Sequence, residues 1–189
     1  MKLELYIDFD GVILNTIDII NKRLEENEIL KRGIREEIQN FFFGQDWEEL
    51  ISISNQINDS IYCIKKIIDS GLYDVRILTH VNTKSEAECK IEYLHKYIKG
   101  LEVIPVYYGN RKCDAVKCNN AILVDDSIKN LISWKEENGI SVHFSDKCSS
   151  NEFIELNRLD ILMDMYSDFL KIIESKKIRK REKSACLFK

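Results

Sequence analysis

The chain has 189 residues and a net charge of −4, enough for one α/β core and a small insertion but not for two full domains. This acidic balance argues against a surface that coats a nucleic acid polymer, although a local basic pocket for a small anion is compatible with it. No apolar stretch is long enough to cross a bilayer, no leader is evident, and the six cysteines lack CxxC spacing. We therefore expect a cytoplasmic protein with reduced thiols and no membrane partner.

The first predicted strand, Leu3 to Phe9, runs into the sequence Asp8-Phe-Asp10-Gly11. Alternate side chains of a strand share a face, so Asp8 and Asp10 can point into one site, and Gly11 lets the backbone turn behind them. Two carboxylates this close repel each other unless a cation lies between them. The pattern is typical of a Mg²⁺ site, and an ordinary acidic turn is the alternative.

The segment from residue 16 to 55 is rich in charge and shows helical periodicity. A crossover between parallel strands does not need this many residues, so we predict a helical cap over the carboxyl ends of the strands. The segment contains an aromatic cluster with Phe41, Phe43 and Trp47. These rings either hold the cap together or contact a ligand.

Further apolar runs of strand character follow at Val75 to Thr79, Val103 to Tyr108 and Ala121 to Val124, with a candidate fifth strand at Ile140 to Phe144. Between them, apolar residues recur at helical spacing. Nearly continuous apolar strands that alternate with helices indicate a parallel sheet covered on both faces. We predict an α/β fold with a doubly wound (Rossmann-like) parallel sheet in three layers and a small helical cap inserted after the first strand.

In this interpretation, residues 1–15 and 56–150 form the core and residues 16–55 form the cap. Residues 151–189 form a C-terminal helix and a basic tail, because apolar residues recur there at helical spacing before a run of lysines and arginines. We expect the helix to pack on the core, with a homodimer face as the alternative. The basic run from Lys176 to Lys183 predicts a solvated tail.

Polar residues stand at the ends of the later strands in a fixed order. Thr79 ends the second strand, Lys112 follows the third, and Asp125 and Asp126 follow the fourth. Because the carboxyl ends of parallel strands meet at one edge of a sheet, these residues should converge with the first acidic pair. Lys117 is an alternative to Lys112, which we prefer because it lies nearer to the end of its strand.

With these four parts in order, the sequence resembles the haloacid dehalogenase-like phosphohydrolase superfamily, whose pattern is Asp-x-Asp, Ser/Thr, Lys and an acidic pair. The resemblance runs from Leu3 to Phe144, and the insertion looks like the small helical cap of that family. The segments Asp8 to Val12 and Ile122 to Trp134 are most similar to the 5′(3′)-deoxyribonucleotidase group. The resemblance implies a Mg²⁺-dependent phosphomonoesterase whose small substrate is a nucleoside monophosphate.

The chemistry of such a reaction assigns roles to the acidic residues. Asp8 would attack phosphorus and form an aspartyl-phosphate, while Asp10 would give a proton to the leaving alcohol and later take one from water. Asp10 must then be protonated when the substrate binds, which requires a raised pKa. Mg²⁺ would be held by Asp8, the backbone carbonyl of Asp10 and Asp126, with Asp125 in support.

The remaining residues would bind the substrate. Thr79 is expected to donate its hydroxyl to a phosphoryl oxygen, and Lys112 to neutralise the charge that develops in the transition state. His80, the next residue along, is a candidate for substrate contact. A base stacked on Phe41, Phe43 or Trp47 would favour a nucleotide.

Other functions share part of this pattern. A phosphotransferase uses the same first half-reaction and differs in excluding water from the site. A phosphatase for another small phosphorylated metabolite would use the same residues throughout. A phosphoacceptor receiver domain also uses aspartates, Mg²⁺, a threonine and a lysine, but its acidic pair belongs at the first strand and it has no place for the insertion, so we do not favour it.

Overall fold

A computed structural model of the chain describes residues 2–146 and 152–186, without the side chains of residue 30 and residues 179–186. Within these residues lies a six-stranded sheet, parallel throughout, in the order β3-β2-β1-β4-β5-β6. The strands are β1 (Leu3–Ile7), β2 (Tyr73–Val81), β3 (Val103–Tyr107), β4 (Ile122–Asp125), β5 (Ile140–Phe144) and β6 (Ile154–Leu156). The predicted doubly wound α/β fold is confirmed, and the first five strands lie close to their predicted bounds.

Helices alternate with the strands along most of the chain. Between β1 and the first crossover helix lie α1 (Thr16–Glu26), α2 (Ile29–Arg32), α3 (Arg35–Phe43) and α4 (Trp47–Ile53). The other described helices are α5 (Ser60–Asp69), α6 (Lys84–Tyr97), α7 (Lys112–Ala115), α8 (Ile128–Glu136), α9 (Ile161–Asp164) and α10 (Tyr166–Cys186). We call residues 16–55, which contain α1 to α4, the cap segment; their division from the core as a domain stays a prediction.

Apolar side chains cover both faces of the sheet. In β1, Leu5 and Ile7 belong to the apolar cluster that includes side chains of α5 and α10. Tyr6 points to the opposite face, where its ring meets Trp134 of α8 edge-on at 5.5 Å between ring centroids. This alternation follows from the two-residue period of a strand. The sheet is therefore the middle of three layers, as a parallel sheet with crossover helices requires.

The cap segment has an apolar cluster of its own, formed by Ile20, Leu24, Ile29, Trp47 and Leu50. Asp46 caps α4 by accepting a hydrogen bond from the N–H of Glu49 at 3.0 Å. The guanidinium of Arg23 on α1 contacts both carboxylate oxygens of Glu49 at 2.9 Å. These contacts hold α1 and α4 together.

The C-terminal part differs from the predicted single helix. Ile154–Leu156 form β6, which pairs in parallel with β5 at the edge of the sheet, and helix resumes only at Ile161. A strand of three residues is too short to show its own period beside a helical pattern. Residues 147–151 and 187–189, which the prediction assigned to the core, helix and tail, lie outside the described residues, as do the side chains of the basic run beyond residue 178.

Across residues 2–146 and 152–186, no helix has the length and apolar character that a bilayer crossing requires. The longest helix, α10, has 21 residues, but lysine, arginine, aspartate and glutamate occur throughout it.

The chain changes its direction of winding at β1. It passes from β1 to β2 and β3 on one side, then crosses over to β4, β5 and β6 on the other. In open sheets of this kind, ligands bind in the crevice at the switch point, outside the carboxyl ends of the strands. Residues that follow β1 and β4 therefore meet in this crevice, and the cap segment leaves β1 at the same edge.

Candidate active site

The loop after β1 begins with the buried Asp8. Its backbone N–H donates to the carbonyl of Val124 at 2.9 Å, and its Oδ1 accepts a hydrogen bond from the N–H of Phe9 at 2.7 Å. Gly11 turns the chain with φ of +74°, and a Cβ at this position would lie 2.3 Å from Oδ2 of Asp126. Glycine is thus required here by the backbone conformation and by the close approach of Asp126.

Lys112, at the start of α7, is buried and joins two of the predicted acids. Its Nζ lies 2.8 Å from Oδ2 of Asp8 and 2.6 Å from Oδ2 of Asp125. Asp125 also accepts hydrogen bonds from the N–H of Ser127 at 2.8 Å and from the amide of Asn130 at 3.1 and 3.2 Å. Burial lowers the pKa of Lys112, but Asp125 and Asp8 outweigh it, and the net pKa is raised. We call Lys112, Asp8 and Asp125 the Lys112 cluster.

A second buried lysine, Lys90 in α6, binds the other aspartate of the first strand. Its Nζ lies 2.5 Å from Oδ2 of Asp10 and 2.7 Å from Oε1 of Glu86, one helical turn earlier. It also donates to the carbonyl of His80 at 2.9 Å and lies 3.3 Å from the hydroxyl of Thr79. Burial lowers the pKa of Lys90, but Asp10 and Glu86 raise it by more. We call Lys90, Asp10 and Glu86 the Lys90 cluster.

The cap segment takes part in the Lys90 cluster. The hydroxyl of Thr16, the first residue of α1, donates to Oδ1 of Asp10 at 2.7 Å. The ring of Trp47, the first residue of α4, lies over the ammonium of Lys90 with 4.6 Å from Nζ to the ring centroid. Such a cation–π contact stabilises a desolvated ammonium. The position of Asp10 therefore depends on residues outside the sheet.

Asp8, Asp125 and Asp126 form a group suited to a cation. Each offers an oxygen within 4.8 Å of those of the other two. Burial raises the pKa of Asp8 well above its usual value despite Lys112, and burial with the charge of Asp125 raises the pKa of Asp126 to about 6. A divalent cation would relieve this crowding, and three carboxylates suit Mg²⁺. Since Asp125 already accepts several hydrogen bonds, Asp8 and Asp126 are better placed for direct ligation.

Two cavities flank these carboxylates. We call the larger one, of about 490 Å³, the basic cavity; its charged lining residues are Arg35, Arg111 and Lys129. We call the smaller one, of about 240 Å³, the acidic cavity; its charged lining residues are Asp18, Asp126 and Asp146. The acidic cavity is lined by Asp126 itself, and the basic cavity by Asn130, which donates to Asp125, so cavities of opposite charge lie next to the two members of the acidic pair.

The fold, more than the sequence, resembles known proteins. No family model matches the chain, and no curated protein matches it. A haloacid dehalogenase (HAD) hydrolase of family IA, variant 3, from Entamoeba histolytica superposes with a TM-score of 0.62 at 12% identity, covering 90% of this chain and 100% of that one. YfnB, a HAD protein from Bacillus subtilis described with bound magnesium, gives a TM-score of 0.59 at 10% identity, covering 87% and 98%. The chain has the fold of the HAD hydrolases.

A D,D-heptose 1,7-bisphosphate phosphatase from Burkholderia thailandensis is also similar, with a TM-score of 0.51 at 14% identity over 89% of this chain and 99% of that one. At these identities the likeness to HAD hydrolases is one of fold, and any chemistry must be argued from the side chains of this chain. The predicted fold is thus confirmed, and membership of the superfamily stays a prediction. The deoxyribonucleotidase group stays a prediction.

Of the two lysines considered for the HAD pattern, the structure brings Lys112 to the carboxylates and leaves Lys117 exposed. Thr79 is fully buried within β2, with its hydroxyl 3.4 Å from Oδ2 of Asp10. The carboxylate of Asp10 is directed to lysine and hydroxyl donors, so only its backbone carbonyl stays a candidate metal ligand. Asp8, Thr79, Lys112 and the acidic pair therefore converge at one rim of the sheet.

His80 lines the basic cavity and is half-buried. Its Nε2 lies 3.1 Å from the carbonyl of Asn110, which requires a proton on that nitrogen. Burial, followed by the charge of Lys112, lowers the pKa of His80. His80 therefore faces a ligand as a neutral imidazole, and the cationic groups of this cavity are its arginines and lysine.

The three predicted stacking residues have different surroundings. Phe41 and Trp47 pack in the apolar cluster of the cap segment, and Trp47 is 4% exposed. Stacking of a base on Trp47 is therefore wrong, because its ring is enclosed and in contact with Lys90. Phe43 is 41% exposed, and its ring meets that of Tyr108 edge-on at 6.2 Å between centroids.

Lys90, Glu86 and Thr16 contact the predicted site, although the sequence assigned no role to them. Glu86 and Lys90 stand four residues apart on a helix, a spacing that is common for exposed surface pairs. The helical pattern of α6 gave no sign that this pair is buried. The signal for Thr16 was its position five residues after Gly11, at the start of the segment that follows the first strand and its turn.

Proposed function

We propose that this protein is a Mg²⁺-dependent phosphomonoesterase that acts through an aspartyl-phosphate on Asp8. The observation that carries the proposal is the convergence of Asp8, Lys112, Asp125 and Asp126 at the switch point of the sheet. Hydrolysis of a phosphate monoester has a very large barrier, so a nucleophile and charge neutralisation must act together. This group supplies both.

The reaction would take place in two steps. Oδ2 of Asp8 attacks phosphorus while the bond from phosphorus to the ester oxygen breaks, and the leaving oxygen receives a proton from Asp10, which must have taken up that proton before this step. Water then attacks the aspartyl-phosphate, gives a proton to Asp10, and releases inorganic phosphate and free Asp8. Thr16 and Lys90 hold the Asp10 carboxylate in place through both steps.

Several groups would compensate the charge of the phosphoryl group. Lys112 lies next to the attacking oxygen, and Thr79 can turn its hydroxyl from Asp10 to a phosphoryl oxygen. Asp8, Asp126 and the carbonyl of Asp10 would hold Mg²⁺, which acts as a Lewis acid on the phosphoryl oxygens when bound.

For the substrate, we propose a (deoxy)nucleoside monophosphate. The support on the structure is the ring pair of Phe43 and Tyr108, because Tyr108 also lines the basic cavity and is 50% exposed. A base stacked on such rings gains about 1–3 kcal/mol. The basic cavity, of about 490 Å³, is within the range of small-ligand sites.

The test is a panel of phosphate monoesters assayed for released phosphate with Mg²⁺ and with a chelator. We expect turnover with Mg²⁺, loss of turnover with the chelator, and recovery when Mg²⁺ is added back. Turnover that is unaffected by the chelator would contradict the metal assignment. Equal rates for nucleotides and sugar phosphates would contradict the nucleotide preference while leaving the phosphatase proposal intact.

A further inference from the structure

The basic cavity lies between α3 of the cap segment and the loops that follow β2 and β3. Arg35 reaches it from α3, Arg111 from the loop before α7, and Lys129 from α8. No carboxylate is among its lining residues. In a protein with a net charge of −4, a cavity lined with three cations and no acid is a local reversal of charge.

Two of these cations lack a carboxylate partner. The guanidinium of Arg111 is bound to Asp114 at 2.7 and 3.0 Å, so its charge is largely compensated. Arg35 and Lys129 form no ion pair with any residue that the structure describes. They reach the cavity from different elements, α3 and α8, so one anion in the cavity could bind both side chains.

The basic cavity is linked to the Lys112 cluster through Asn130. Asn130 lines the cavity, and its amide donates to both carboxylate oxygens of Asp125. Asp125 in turn contacts Lys112, which contacts Asp8. The Asn130 side chain therefore belongs to the wall of the basic cavity and also contacts the Lys112 cluster. The acidic cavity repels an anion, so the basic cavity is the more favourable of the two for a charged leaving group.

We propose that the leaving group of the substrate carries a second anionic group, a carboxylate or a further phosphate, which binds between Arg35 and Lys129. The proposal rests on the phosphomonoesterase function above and narrows its substrate class. Among nucleotides, it favours those that keep a phosphate on the nucleoside after the first has been removed.

The experiment compares substrates that differ in one anionic group. The pairs are 3-phosphoglycerate with glycerol 3-phosphate, and adenosine 3′,5′-bisphosphate with adenosine 5′-phosphate. We expect kcat/KM to be at least about tenfold higher for the member with the additional anionic group in one pair, and this preference to fall as salt is raised. The pair that shows the preference distinguishes a carboxylate from a phosphate.

The double variant Arg35→Gln/Lys129→Gln should reduce the preference, measured as the ratio of kcat/KM for the two members of the pair, by about tenfold. The matched control Lys22→Gln, an exposed lysine on α1 outside the cavity, should leave the preference unchanged. A ratio of kcat/KM near one for the wild-type protein in both pairs would overturn this inference. Turnover of glycerol 3-phosphate or adenosine 5′-phosphate would still support the phosphomonoesterase.

Binding gives a readout that does not need turnover. If no ester is hydrolysed, the proposed function is wrong, and the shift in melting temperature with each pair then tests the cavity alone. A larger rise in melting temperature with the member that has the additional anionic group, lost in the double variant, would support the basic cavity as an anion site. Equal stabilisation by both members would overturn it.

Discussion

The two buried lysine clusters of this protein both neutralise an aspartate, but they are built from different parts of the fold. Each ammonium neutralises one aspartate of the first strand end, Lys112 at Asp8 and Lys90 at Asp10. The Lys112 cluster is built from residues at strand ends of the core. The Lys90 cluster is built around a helix and is completed by Thr16 and Trp47 of the cap segment.

This difference separates two functions within one site. The surroundings of Asp8, the proposed nucleophile, are supplied by β4, α7 and the loop after β1, all of which lie outside the cap segment. The surroundings of Asp10, the proposed acid and base, depend on how the cap segment sits on the core. We therefore expect changes in the cap segment to alter proton transfer while leaving the nucleophile in place.

The largest expected effect comes from Asp8→Asn, which removes the nucleophile and leaves a side chain of the same shape. We expect turnover to fall by about 10³-fold or more, because the covalent step has no other carboxylate in the same position. Phosphate release and the melting temperature check this together. Retained turnover in a folded variant would contradict the covalent mechanism.

Lys112→Met is expected to affect both stability and catalysis. It leaves the buried Asp8 and Asp125 without their cation, which typically costs about 3–5 kcal/mol. Chemical denaturation measures this cost, and kcat on any substrate should fall by about 10²-fold. The matched control is Lys117→Met, an exposed lysine of the same region, for which we expect a change within about 0.5 kcal/mol.

Lys90→Met tests whether the second cluster positions Asp10. We expect alkyl phosphates, whose leaving oxygen needs a proton, to lose about tenfold in kcat, and an activated aryl phosphate to lose much less. The double variant Glu86→Gln/Lys90→Met removes both charges and should recover stability. If the ratio of alkyl to aryl rates in that double variant returns to the wild-type value, the Lys90 cluster stabilises the fold and does not position Asp10.

The smallest effect is expected from Trp47→Phe, which keeps an aromatic ring over Lys90. The weaker cation–π contact and smaller ring should cost about 1–2 kcal/mol in the free energy of unfolding, measured by chemical denaturation. The ratio of alkyl to aryl rates should fall slightly, in the same direction as for Lys90→Met. A change in aryl turnover alone would contradict the link between the cap segment and Asp10.

Much of the fold could be predicted because its signals are local. Strands such as β1 and β4 are mostly apolar, and helix α6 begins with a capping residue, Thr83. The convergence of Asp8, Thr79, Lys112 and Asp126 followed from topology, since parallel strands end at one edge. None of these inferences needed a side-chain contact to be known.

The parts that sequence could not supply depend on three-dimensional contacts. Lys90 and Glu86 have the spacing of a surface pair, and only the packing of α6 under Trp47 buries them. Stacking on Trp47 was a wrong inference for the same reason, because an aromatic residue near a glycine looks equally suited to a ligand or a core. The short edge strand β6 was hidden within a helical pattern.

The missing side chain of Gly11 determines how closely the carboxylate of Asp126 can approach the turn after β1. Because it has no Cβ, the turn after β1 can lie against the carboxylate of Asp126, where a methyl group would be 2.3 Å away. A larger residue here would displace one acid of this group and strain the turn at its positive φ, with every ionisable residue retained. Cation affinity at the three carboxylates can therefore be altered from a position that carries no charge.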